Sequence, residues 1–175
     1  MCLRSHSSSR GIGRWLSDDW VHVPTVGANA KGPHLMATAD PAALKGLYES
    51  IIGRMAANPD MDLVTMRSMF EELATASSEP EGVTYAEVDA AGVRAIWCIP
   101  QDADADRVVL YTHGGGFMGN TADSHRKLAA HLAKAAGARA LVVEYRLAPE
   151  HVFPAQLDDA QTAHSWLLDQ GVPAS

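Results

Sequence analysis

Residues Arg107 to Asn120 read RVVLYTHGGGFMGN, and the chain's clearest chemistry is concentrated there. His113 precedes three consecutive glycines, Gly114, Gly115 and Gly116, and Phe117 and Gly119 follow. Residues without a Cβ widen the accessible φ/ψ range at a cost in folding entropy. That cost makes sense where backbone N–H groups must approach a ligand and point at it. Acyl transfer needs such a device, because the substrate carbonyl becomes an oxyanion that fixed donors at about 3 Å stabilise. A flexible glycine-rich turn between strand and helix is the alternative for the glycines alone. The preceding His, the apolar β-branched run Val108 to Tyr111 and the following aromatic favour an oxyanion-binding loop.

The elements that must position this loop are legible in the periodicity. Asp40 and Pro41 read as N-cap and first residue of a helix whose apolar face is Leu44, Leu47, Tyr48, Ile51, Ile52 and Met55. Asn58-Pro59 breaks it, and a second helix is predicted from Asp62 to Ala76 with Leu63, Met66, Phe70 and Leu73 in line. Gly82 to Ile99 reads as a β-hairpin turning at Ala90-Ala91-Gly92, and Gln101 to Asp106 as a solvated acidic loop. The Val108 strand and the glycine loop come next. A helix from Ala122 to Ala136 follows, capped by Thr121 or Asp123, anchored by Leu128 and Leu132 and ended by Gly137. Ala140 to Val143 is a second buried parallel strand. The stretch from Phe153 to Asp169 ends as a helix with Leu157, Ala160, His164, Leu167 and Leu168 inward. No internal repeat is present.

HGGGF after a buried strand resembles the motif of hormone-sensitive-lipase-type esterases within the α/β-hydrolase fold. Glu144 to Ala155, reading EYRLAPEHVFPA, is similar to that family's YRLAPE…FPA segment, and the acidic pair Asp158 and Asp159 follows it. The two motifs occur in the family's order, separated by one helix, and the resemblance covers roughly residues 83–174. It implies an α/β fold made of N-terminal cap helices, a hairpin and two parallel βα units, with the C-terminal half of an α/β-hydrolase absent. It also implies that Gly115 and Gly116 form the oxyanion hole. His113 and Gly114 would support the loop, His113 orienting it by hydrogen bonding because the family's base lies near the C-terminus. Phe117 and Met118 either line an acyl pocket or pack the loop.

The family's nucleophile sits in a G-x-S-x-G elbow, followed by an acid and then a His. None of the twelve serines here has that setting, including Ser124 in ADSHR and Ser165 in AHSWL. The expectation is therefore that no catalytic nucleophile, acid or base lies in this chain, all three falling C-terminal of Ser175, and that the chain alone is inactive. Tyr145, Arg146, Pro149, Glu150 and Asp159 read as scaffold, with Arg146 pairing with Glu150, Asp158 or Asp159. A general-base role for Glu150 or Asp159 is the weaker rival. His125 and His131 are six residues apart, which is not the four-residue spacing of a helical zinc pair, and they read as solvent-facing. The resemblance implies no cofactor and no metal.

A net charge of −7 gives no basic footprint for nucleic acid or an anionic membrane, and 47% hydrophobic content is that of a globular protein. Two separated cysteines, Cys2 and Cys98, fit a reduced compartment, and no run approaches the length of a membrane span. The expected location is cytoplasmic. Residues 1–35 read as a leader, disordered or mis-annotated, with Met36 as an alternative start and a transit peptide as the lesser reading. Residues 36–80 read as cap helices, whose Met55, Met61, Met66 and Met69 read first as ordinary core and second as a pliable pocket lining, and 81–175 as the N-terminal half of the hydrolase domain. The leading function is hydrolysis of small carboxylic esters or lactones through an acyl-enzyme. The alternatives are a non-catalytic small-ligand-binding member of the fold, a non-functional truncated fragment, or one chain of a split enzyme. The expected partners are a small ester and either a missing C-terminal half or a second copy, paired through the open Val108 to Tyr111 edge.

Overall fold

The computed structural model describes residues 41–173. The proposed leader and the Asp40 cap lie outside them. Helix α1 (Pro41–Ala57) and helix α2 (Leu63–Glu71) open this region, and a single 3₁₀ segment, Glu72–Ala76, continues α2. Asp62 starts α2 because its carboxylate accepts the Thr65 N–H at 2.9 Å, satisfying a first-turn donor that the helix leaves unpaired. Strands β1 (Val83–Ala90) and β2 (Val93–Pro100) form the hairpin. Its two-residue loop has Ala91 at φ 58° and Gly92 at φ 91°, the doubly positive geometry that matches the twist of paired strands.

Strand β3 (Asp104–Thr112), helix α3 (Ala122–Ala136), strand β4 (Ala138–Val143) and helix α4 (Ala155–Asp169) complete the described chain. The sheet order is β1-β2-β4-β3, with β3 and β4 parallel and the other neighbours antiparallel. The acidic stretch expected to be a loop differs: Asp104 already pairs with Ala138, and an irregularity in register separates it from Val108. Its charges lie at an exposed end of the sheet, so a strand can carry them there without burying them. Among the described residues β3 is an edge strand, as expected for the run ending at Tyr111.

The sheet is covered on both faces. Val93, Ala95, Leu141, Val143 and Tyr145 pack with Ala163 and Leu167 of α4 on one side. Ile96, Cys98, Ala140 and Val142 pack with Ala122, Ala129, Ala130 and Ala133 of α3 on the other. Alanines let α3 lie close to the sheet, and this turns Leu128 and Leu132, the expected anchors, away from it at 47% and 46% exposure. Helix α4 is likewise rotated from the expected face. Gln156, Asp159, Ala163 and Leu167 are buried, whereas Leu157, His164 and Leu168 are exposed. The cause is polar: Asp159 accepts from the Arg146 backbone N–H at 2.8 Å and Gln156 donates to the His151 carbonyl at 2.7 Å.

α3 has local signals at both ends. Thr121 and Ser124 form a reciprocal cap, and Gly137 ends the helix at φ 60°. The cap at Thr121 therefore fixes where α3 begins, and the glycine loop lies between the end of β3 and that cap. No helix among the described residues is long and apolar enough to cross a membrane.

Candidate active site

In open α/β sheets ligands bind outside the carboxyl ends of parallel strands. The His113–Asn120 loop leaves the sheet at that end of β3. Its backbone is unusual: Gly115 has φ 127°, Gly116 φ 63°, Phe117 φ 61° and Asn120 φ 65°. A Cβ on Gly115 would overlap the Gly119 carbonyl oxygen and sit 2.7 Å from its carbon, so this position requires glycine. At Gly116 nothing lies within 4 Å of the same hypothetical atom.

Five carbonyls of the loop are pinned. The buried Tyr145 hydroxyl donates to the His113 carbonyl at 2.6 Å. The Gly114 carbonyl lies 2.9 Å from His113 Nδ1 and accepts from Asn120 Nδ2 at 3.1 Å. Gly115 O receives the N–H groups of Met118 and Gly119, both at 3.1 Å, and Phe117 O receives that of Ala148 at 2.8 Å. Arg67 of α2 donates its Nε–H to Met118 O at 2.6 Å. By contrast, the N–H groups of Gly115, Gly116 and Phe117 donate to no acceptor among the described residues. Free amides beside fixed carbonyls are an arrangement that can donate hydrogen bonds to an anion.

His113 is 4% exposed, and its ring stacks on Tyr145 with centroids 4.1 Å apart. Because a carbonyl only accepts, Nδ1 carries the proton, leaving Nε2 with a lone pair and no partner among the described residues. Burial holds its pKa below 6.5, helped by the nearby His125, while the Gly114 contact acts the other way. Tyr145 is pushed up to about 12, chiefly by burial, and so remains a neutral donor. The Nδ1 proton, committed to the adjacent carbonyl, ties the buried His113 ring to the loop.

His125 and His131 depart from the solvent-facing expectation. His125 is half-buried, 5.6 Å from the His113 ring and 6.1 Å from that of Tyr111. His131 Nε2 lies 3.0 Å from the Ser78 carbonyl, tying α3 to the segment after the 3₁₀ turn. Phe117 and Met118 are 55% and 42% exposed. Phe117 meets Tyr145 edge-on at 6.1 Å, so it neither fills a core nor is enclosed in a pocket.

Arg146 takes Asp159, its Nη2 lying 2.7 Å from Oδ1, and leaves Glu150 to another partner. That partner is Arg67, which grips Glu150 through Nη1 and Nη2 at 2.8 and 2.7 Å and draws the carboxyl down to about 2. Arg67 and Asn120 are not among the residues that the sequence motifs single out. Asn120 carried a signal, since Asn tolerates positive φ and follows a glycine, whereas Arg67 carried none beyond being a base on an amphipathic helix. A cavity of about 280 Å³ lies between α1, the 3₁₀ turn and α3, walled by Leu44, Tyr48, Phe70, Leu73, His125 and Leu128. Phe70 also lies beneath the loop, 2.7 Å from where a Cβ of Gly119 would be.

The buried imidazoles give a stability prediction. Both His113 and His125 are held below their ordinary pKa, mainly by burial, so the unfolded chain binds their protons more readily. Stability is then lost as pH falls through 6.5, by at most about 1.4 kcal/mol per pH unit for each ring. Urea unfolding at pH 7.5 and 5.5 should show the decline, and His113→Gln should flatten it. An unchanged slope in that variant would place the titration elsewhere.

The arrangement of strands and helices is that of the α/β-hydrolase fold, and residues 109–175 match the family model described as alpha/beta hydrolase fold. An acetyl-hydrolase of Streptomyces hygroscopicus is 44% identical over 79 residues, covering 45% of this chain and 26% of that protein. An ethyl acetate hydrolase of Pseudomonas putida is 47% identical over 73 residues, or 41% of this chain and 23% of that one. The crystal structure of an esterase from the bacterial hormone-sensitive lipase family superimposes with a TM-score of 0.67 at 33% identity. That superposition covers 77% of this chain and 45% of the esterase. The matched part of the chain is similar to the N-terminal portion of these relatives. It spans about a quarter of the length of the curated relatives and under half of the solved one.

Proposed function

We propose that this chain supplies the oxyanion-binding half of a carboxylic-ester hydrolase acting on small esters through an acyl-enzyme. The observation that carries the proposal is the asymmetry of the glycine loop, with the His113, Gly114, Gly115, Phe117 and Met118 carbonyls bonded and the Gly115 and Gly116 amides unclaimed among the described residues. The relatives' activities, acetyl-hydrolase and ethyl acetate hydrolase, support a short acyl group. In this reading the attacking serine, its His and its acid come from outside residues 1–175. Attack forms a tetrahedral intermediate whose oxyanion sits against the two glycine amides. Its collapse releases the alcohol, and a water repeats the cycle on the acyl-enzyme. Helices α1 and α2 form the cap over the site, with Phe70 joining cap and loop.

The apolar cavity beside His125 favours a second reading, the binding of a small ligand without hydrolysis. One assay separates the two. The 175-residue chain is tested on p-nitrophenyl acetate and butyrate, alone and co-expressed with the C-terminal portion of the solved hormone-sensitive-lipase-family esterase. The expected result is no turnover alone and turnover in the assembled pair. Turnover by the purified chain would overturn the placement of the nucleophile. A stable assembled pair that binds the ester without cleaving it would favour the second reading.

A further inference from the structure

We propose that Arg67 is the positioning residue of the oxyanion loop, holding the Gly115 and Gly116 amides in place only while helix α2 is docked. The inference rests on the reading of the loop given above and extends it to a residue that touches no reacting atom. Four separate bonds leave this one guanidinium. Nε donates to the Met118 carbonyl at 2.6 Å, and Nη2 donates to the Ala148 carbonyl at 2.9 Å. Nη1 and Nη2 also take the two oxygens of Glu150 at 2.8 and 2.7 Å. The loop and the Ala148–Glu150 turn are themselves joined, since the Ala148 N–H donates to Phe117 O at 2.8 Å. Arg67 therefore closes a ring running from α2 to the loop, across to the 148–150 turn and back.

The geometry requires arginine. Two main-chain carbonyls and a bidentate carboxylate lie around a planar, five-donor fork, whereas a lysine ammonium would offer three donors from a single point. Neither carbonyl belongs to a glycine of the triplet. The effect reaches Gly115 and Gly116 through Met118, whose N–H is bonded to Gly115 O at 3.1 Å. The Arg67 stem lies on the same path, with Cγ 3.8 Å from the position of a Gly119 Cβ. Removing the fork frees Met118 O and lets the backbone between Gly115 and Gly119 sample other conformations at positive φ.

The test uses the full chain labelled with ¹⁵N-glycine and compares wild type, Arg67→Gln, Arg67→Lys and Glu150→Gln by backbone relaxation. In the wild type the Gly115 and Gly116 amides should be as ordered as rigid backbone, with order parameters near 0.85, falling below about 0.6 in Arg67→Gln. Arg67→Lys should not restore them. Glu150→Gln, which leaves both carbonyl bonds available, should disturb them less. Gly92 in the hairpin loop should be unaffected in all variants, which a general loss of stability would not allow. In the assembled enzyme, Arg67→Gln should lower kcat about tenfold with KM changed less than twofold. Unaltered order at Gly115 and Gly116 in both Arg67 variants would overturn the inference, even if the assembled enzyme hydrolyses esters normally. Loss of order in the chain would sustain it, even if hydrolysis is never found.

Discussion

Gly115→Ala should destabilise the chain by about 3 kcal/mol, whereas Gly116→Ala, one residue along, should cost about 1 kcal/mol. The two glycines look equivalent in the sequence and differ sharply in space. At Gly115 the φ of 127° is open almost only to glycine, and the new methyl would enter the Gly119 carbonyl. Backbone on that side cannot swing away as a side chain would, because the Gly119 N–H is bonded back to Gly115 O. At Gly116 the φ of 63° is left-handed but the surrounding space is empty. Only backbone strain remains there, partly offset by the smaller entropy of an alanine in the unfolded chain. Urea midpoints for the two variants at pH 7.5 measure the difference, and equal midpoints would mean that the loop does not have this shape.

The same geometry corrects a natural experiment. From the sequence, Gly115→Pro is the obvious way to delete one donor N–H. Proline holds φ near −65° and cannot occupy φ 127°, so that change would rebuild the loop and not merely remove a donor. A replacement that removes the N–H and nothing else is needed.

How much was legible before the fold was known depended on whether the signal was local. The ends of α3 were readable because Thr121, Ser124 and Gly137 act within one turn of the helix. The position of the glycine loop was readable because its residues are consecutive and follow a buried strand. The faces of α3 and α4 were not. Counting apolar residues turned Leu128, Leu132 and Leu157 inward, but the sheet side of α3 is alanine and that of α4 includes Gln156 and Asp159. A buried carboxylate is legible only once its partner, the Arg146 backbone and guanidinium 13 residues away, is in view. The link from Arg67 to Glu150 spans 83 residues and joins two elements with no sequence relation, so nothing short of the fold reveals it. The acidic run from Asp104 to Asp106 read as a loop because charge argues against a buried strand, and here the strand end is exposed.

The largest effect belongs to the amides themselves, and it is the most direct test of the account. Replacing Gly116 by glycolic acid in the assembled enzyme converts one peptide N–H to an ester oxygen without adding a Cβ or restricting φ. Losing one oxyanion donor should cost about 2.7–4 kcal/mol of transition-state stabilisation, a hundred- to thousandfold in rate. The ester also weakens Gly115 O as the acceptor for Met118 and Gly119, so the thermal midpoint is measured on the same sample. The kcat for p-nitrophenyl butyrate should fall at least a hundredfold, with KM changed less than threefold and the fold intact. A kcat within threefold of the unmodified enzyme, for this swap and for the equivalent one at Gly115, would contradict the oxyanion role of these amides.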